Sequence, residues 1–285
     1  MLINTVILFL NDALPIVIIT VLLLTIAHKL QRAYSWVFIA ILLSIITTIT
    51  LIYFIDNVAQ IFDSTGLELL FALGYFCIYS FIIALLFLSY CSVNGRLWMI
   101  CGQGILICVA TLNGADFLVY ITGYWSQVDV LQSLAVGIIL SLGICISIGI
   151  LLYFLIIYSD QRLSIHTSSV LILFYGAGQL IKASNLLLQI DVLPSSSPLW
   201  DVSFLITENS ELGHFLSALF GYDASPSLYQ LIIYLTALLL PCGFITLLNK
   251  VNLNKKSFFC MNNSLDKLNH SNKTSKHNEV RENYS

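Results

Sequence analysis

The sequence predicts an all-α, polytopic membrane protein, and three observations carry that prediction. Hydrophobic residues make up 58% of the 285-residue chain against 9% charged, and the mean hydropathy is +0.91, more apolar than a soluble domain can hide in its core. The apolar residues gather into seven stretches, each near the roughly 20 residues with which a helix crosses about 30 Å of hydrocarbon. Charges between the stretches segregate by sign from one loop to the next. Backbone groups in lipid must be satisfied within the segment, so stretches of this length imply helices. The short alternating strands of a β-barrel are absent.

The first stretch, residues 3–27, lacks a basic flank and a small-residue cleavage site, and Asn11 and Asp12 interrupt it. It reads as a spanning helix rather than a signal peptide. The others fall near residues 35–55, 67–89, 97–121, 130–158, 167–188 and 228–248. Lys29 and Arg32 lie between the first pair, Arg96 between the third and fourth, Arg162 between the fifth and sixth, and seven more basic residues after the seventh. The alternate loops carry acids instead: Asp56, Asp63, Asp129, Asp191, Asp201, Glu208, Glu211 and Asp223. The positive-inside rule then places the amino terminus outside and the carboxyl terminus in the cytoplasm. Residues 1–248 form the transmembrane domain, and the polar stretch 249–285 reads as a disordered cytoplasmic tail, in which His270 and His277 are solvated.

Within the last outer loop, Leu212, Phe215, Leu216 and Leu219 recur at helical spacing between a Ser210 cap and a Gly221 stop. A short interfacial helix is expected there, with His214 more a structural residue than a metal ligand. The seven cysteines include no CxxC pair and read as small apolar packing residues.

Polar residues inside the apolar stretches are the informative ones. Asp12 sits nine residues past Ile3, roughly 14 Å deep at 1.5 Å per residue. An aspartate at a helix centre costs about 2.5 to 3.5 kcal/mol to insert, so it faces the bundle interior or finds a partner. Pro15 leaves the carbonyl of Asn11 without its helical donor, which adds an oxygen to the same notch. In the fourth stretch Asn113 and Asp116 stand three apart and share a face, beside Gly114, where another backbone can approach closely. Gln179, Lys182 and Asn185 form one stripe in the sixth, after Gly176 and Gly178. Lys182 is either the counter-ion of Asp12 or Asp116 or a residue that snorkels to the headgroups. Glu68 opens the third stretch as an interfacial or a pathway residue.

Leu10-Asn11-Asp12-Ala13 and Leu112-Asn113-Gly114-Ala115 match in three of four letters on helices of opposite direction. Such a pair is what a 3+3 inverted repeat leaves behind, with a seventh helix appended and a binding site between the repeats near the midplane.

These residues resemble the high-affinity iron permease family, the oxidase-linked ferric iron transporters whose hallmark is Arg-Glu-Gly-Leu-Glu in helices one and four. The stretch "SSVLILFYGAGQLIKASNLL" is similar to the family's sixth helix, which has a basic residue where Lys182 stands, and "GHFLSALFGYDASPSLYQLIIY" is similar to its Gly-Tyr...Pro-Ser signature. The hallmark falls on Asn11-Asp12-Ala13-Leu14-Pro15 and on Leu112-Asn113-Gly114-Ala115-Asp116. Both arginines are therefore lost, two of the four glutamates become Asp12 and Asp116 and the other two become Pro15 and Asn113, and the second acid expected after Glu68 is Phe71 or another apolar residue. The resemblance implies a transporter of iron, or of another cation, that uses Asp12, Asp116, Asn11, Asn113 and Glu68 as oxygen ligands with Lys182 as counter-ion. Iron is cargo rather than a resident cofactor. The resemblance also implies an extracytoplasmic oxidase or iron-delivery partner, while short loops and no eukaryotic targeting signal point to a bacterial cytoplasmic membrane; no nucleic-acid partner is expected.

Two other classes are weighed against transport. The lost motif residues favour a non-transporting permease relative acting as scaffold or complex subunit. A retinal-type receptor shares the topology but needs a lysine in helix seven, which is absent from that stretch. No nucleophile and base pair at membrane depth points to an enzyme.

Overall fold

The computed structural model describes residues 2–60, 65–91, 95–124, 128–163, 167–194, 198–204, 207, 210–241 and 243. Six long helices run through them: α1 Leu2–Lys29, α2 Ser35–Ala59, α3 Gly66–Cys91, α4 Gly95–Tyr124, α5 Val128–Leu163 and α6 Thr167–Gln189. Each contains a segment long and apolar enough to cross a membrane, which marks the chain as a multi-pass membrane protein. A short helix α7, Glu211–Phe220, follows, then an apolar helix α8, Leu228–Pro241. Residues 228–241 alone are shorter than the roughly 20 needed to span. The rest of the expected seventh stretch, together with the tail 249–285, lies outside the described residues.

The chain divides into two compact units, Met1–Leu238 and Leu239–Ser285. In the second, only Leu239, Leu240, Pro241 and Gly243 are described. In the first, α1 packs on α5, α4 and α6; α2 on α4; and α3 on α4 and α6, with lighter contacts from α2 to α3 and from α5 to α6. The core is one apolar cluster built around Ile18, Leu22, Ile78, Ile82, Ile105, Leu106 and Tyr175. Helix α6 is the most interior, with 61% of its apolar window buried, and α2 the most peripheral, with 17%. Phe38, Ile45, Ile49 and Tyr53 accordingly face outward from α2, as Ile139, Leu151 and Phe154 do from α5. Large apolar side chains turned outward along whole helices are what a lipid-facing surface requires.

Hydroxyls in the helices bond back to their own backbone: Thr25 to the Leu22 carbonyl at 2.8 Å and Thr48 to that of Ser44 at 2.7 Å. One end of the bundle is tied by polar contacts. Lys29 Nζ lies 3.7 Å from Asp160 Oδ2, the Ser168 hydroxyl donates to the same oxygen at 3.0 Å, and the Arg32 guanidinium lies against Gly95. These contacts join α1, α5 and α6 and gather the basic interhelical residues at one end.

The expected short helix is present. Ser210 caps α7 by accepting from the Gly213 amide at 3.0 Å, and Gly221 ends it in the left-handed conformation at φ 69°, as a C-terminal glycine does. The His214 side chain is outside the described residues. An added Cβ on Gly178 would stand 2.7 Å from the Gly221 nitrogen, so α6 and the end of α7 meet backbone to backbone. Gly114 behaves differently from expectation. Among the described residues a Cβ there would meet only Thr48 side-chain atoms, at 3.5 Å, an ordinary contact, so none of their backbone presses on α4 at that point.

Candidate functional site

A cavity of about 500 Å³ opens between α1, α3, α4 and α6. Its wall includes every residue singled out for metal binding, Asn11, Asp12, Glu68, Asn113 and Asp116, together with Lys182. The helices bring them to one side of the bundle because α1 and α3 begin where α4 and α6 end. Counted from those ends at 1.5 Å per residue, Asp12, Asp116 and Lys182 lie about 15, 12 and 10 Å inward. Glu68, in the first turn of α3, and Gln189, the last residue of α6, stand at the helix ends. The cavity lining thus runs from residues at the helix ends to the two aspartates, and the count along α1 gives Asp12 about the depth expected from the sequence.

Local structure explains each placement. Helix α1 continues through Pro15, which has no amide to offer the Asn11 carbonyl. Leu10 and Leu14 on the opposite side of that turn are buried in the core, so Asn11 and Asp12 are turned toward the opening. In α4, Asn113 is 8% exposed, and its amide nitrogen donates to the Val109 carbonyl at 2.8 Å, which leaves its Oδ1 for the cavity. The two asparagines of the similar tetrapeptides are therefore not equivalent: Asn11 is exposed, Asn113 buried and bonded to its own helix.

The stripe on α6 divides. Lys182 and Asn185 reach the cavity, joined by Gln189 one turn on, whereas Gln179 is 1% exposed and packs in the interior. Lys182, Asp12 and Asp116 interact electrostatically with one another. Lys182 nevertheless has no carboxylate within 4.0 Å among the described residues. Lys182 is a residue of the cavity wall.

The side chains of Asp12, Asp116, Lys182, Asn11 and Gln189 make no hydrogen bond to another described group. Glu68 Oε2 is buried without a hydrogen-bond partner. Polar groups in a protein interior are normally paired with one another, because an unpaired one costs about 1 to 3 kcal/mol. Here they are aimed at a shared space instead. Among the described residues no group of three or more His, Cys, Asp and Glu side chains is arranged to hold a metal ion, so the oxygen donors comprise the two aspartates, Glu68 at the mouth and the amides.

Sequence reasoning missed several residues. Tyr75, on α3 beside Phe71, lines the cavity, and a tyrosine in an apolar helix carries no signal to separate it from core. Gln230 on α8 donates to Asn185 Oδ1 and to Asp223 Oδ2 at 3.1 Å, and thereby fixes the amide of Asn185 at the cavity edge. A smaller cavity of about 190 Å³ lies on the far side of that pair, lined by Gly221, Tyr222, Asp223 and Tyr234 among others. Of the free thiols, Cys145 is buried and Cys101 and Cys108 half-buried, as the expected packing role requires, whereas Cys77 is exposed. Cys242 is outside the described residues. No family model, curated protein or solved structure matches the chain.

Proposed function

We propose that the chain is a cation transporter of a diverged iron-permease type, crossing the cytoplasmic membrane seven times with its amino terminus outside, and that its cargo is iron. The observation that carries this reading is the convergence of Asp12 and Asp116, from helices of opposite direction, on one cavity in which Asp12, Asp116 and Lys182 make no hydrogen bond to another described group. A carboxylate inside a membrane helix is costly, and its retention beside a second one in an open space favours an ion pathway. Iron is a hard cation that suits carboxylate and amide oxygens.

In the proposed mechanism the acidic outer loops attract the cation, and it descends past Glu68 to Asp12 and Asp116. It leaves on the basic side as one repeat rocks against the other or as a second ion arrives behind it. Lys182 balances the acids between transport events. The packing pattern supports a 3+3 arrangement. Exchanging α1 with α4, α2 with α5 and α3 with α6 turns the α1–α5 contact into α4–α2 and the α3–α4 contact into α6–α1, and all of these are present.

The test is radiolabelled iron uptake in a transport-deficient host, comparing the native chain with Asp12→Ala and Asp116→Ala. Loss in both variants is expected, and equal uptake by all three removes these residues from any pathway. A second reading, a non-transporting permease relative serving as scaffold, is favoured by the absence of a three-acid cluster among the described residues. Calorimetry on the purified protein separates the two, since a scaffold shows no heat of metal binding that Asp12→Ala abolishes.

A further inference from the structure

The cavity is lined by both signs of charge, and its size and chemistry say in what form a cation enters it. A dehydrated metal ion needs several oxygens about 2.0 to 2.6 Å away on all sides. The described acids do not supply such a cage, and a space of about 500 Å³ is far wider than one ion. The cargo must therefore keep most of its own ligands. Those ligands meet Lys182, an ammonium on the cavity wall with no fixed carboxylate partner. Against a hydrated cation such a lysine is repulsive and would weaken binding. Against a ligand that carries free carboxylates it becomes a charge-assisted donor, and the neighbouring Asn185 and Gln189 amides are suited to the same oxygens.

We infer that the cargo enters as a complex of the metal with a small polycarboxylate, its metal side toward Asp12 and Asp116 and its carboxylate side toward Lys182. This inference rests on the cation-transport reading and adds the class of ligand carried with the ion. The mixed wall gives Lys182 a contact while the cargo is bound, when the metal rather than the lysine neutralises the two acids. It also accounts for the weak ligand set, because the polycarboxylate supplies the remaining metal bonds.

The experiment uses the full chain in proteoliposomes and two labels, ferric iron-55 presented with carbon-14 citrate, with parallel arms of ascorbate-held ferrous iron alone and of citrate alone. The expected result is entry of both labels in a constant ratio, faster than either label alone. Lys182→Met should lower entry of the complex by about tenfold or more, the equivalent of one lost charge-assisted hydrogen bond, and Lys182→Arg should restore most of it. Iron entry without carbon-14 overturns the inference and leaves iron transport standing. Entry of neither label, or of citrate without iron, overturns the transport reading and the inference with it.

Discussion

Two cavities of nearly the same size lie on either side of α4, and they differ in what their polar groups do. The first, of about 500 Å³, holds Asp12, Asn113, Asp116 and Lys182. The second, of about 550 Å³, lies between α2, α3 and α4 and is lined by Leu51, Phe54, Leu70, Ile107 and Leu112 with three threonines. In the second, the Thr47 and Thr111 hydroxyls bond each other at 2.6 Å, and Thr50 bonds the Ile46 carbonyl at 2.8 Å. Every hydroxyl there has a partner in the protein. In the first, Asp12, Asp116 and Lys182 have none within hydrogen-bonding reach among the described residues. Equal volume therefore does not mean equal purpose: what distinguishes a candidate site is polar capacity left unspent against its neighbours.

The largest expected effect breaks that contrast at its charged end. Asp12→Asn or Asp116→Asn keeps the shape and a polar oxygen but removes the charge, and should lower iron uptake by about tenfold to a hundredfold, the scale on which metal sites respond to a lost supporting group. Thr47→Val, in the other cavity, should leave uptake within about twofold. Comparable losses from both cavities would mean that neither is privileged. The next effect concerns the scaffold behind Lys182. In Gly178→Ala the new Cβ would stand 2.7 and 2.9 Å from backbone atoms of Gly221, which cannot swing aside as a side chain can. Overpacking of this kind costs about 1 to 3 kcal/mol, read as a lower midpoint of thermal unfolding in detergent.

Much of this was legible in the sequence, for a physical reason. Hydropathy is a one-dimensional property, so the helices α2 and α6 begin at the residues where the apolar stretches predict them, Ser35 and Thr167, and residues too polar for lipid stood out by cost alone. Rotation about each helix axis is not one-dimensional. Gln179 and Lys182 share a stripe, yet one packs in the interior and the other lines the cavity, because the elements packed on α6, α3 and α7 among them, come from distant sequence. The Asn185–Gln230 pair joins residues 45 apart, and Asp160 meets Lys29 across two helices. Neither is foreshadowed by spacing. Pro15 was read correctly as a missing donor, whereas the Gly114 reading failed because a glycine signals only that space is permitted, not that another backbone uses it.

A smaller effect sharpens the satisfied side of the comparison. Thr111→Val removes the partner of the Thr47 hydroxyl, but that hydroxyl also reaches the Ser44 carbonyl at 2.9 Å, so the loss should be about 0.5 to 1 kcal/mol of stability. The double variant Thr47→Val with Thr111→Val should cost less than the two single changes together, since no hydroxyl is then left without a partner. Strict additivity, measured by unfolding of all four proteins in the same detergent, would show that the pair is not coupled.

The smallest effect tests Gly114, which follows Thr111 and Leu112 of the apolar cavity and Asn113 of the polar one. The added methyl of Gly114→Ala would meet only Thr48 Cγ2 and Oγ1, both at 3.5 Å, and alanine is favoured over glycine in a helix by about 0.5 to 1 kcal/mol. The variant should therefore unfold slightly later than the native chain and take up iron at an unchanged rate. A folded variant that has lost uptake would mean that a second helix closes onto α4 at Gly114 during the transport cycle. The contrast between the two cavities would then describe one state of α4 rather than a permanent division of labour along it.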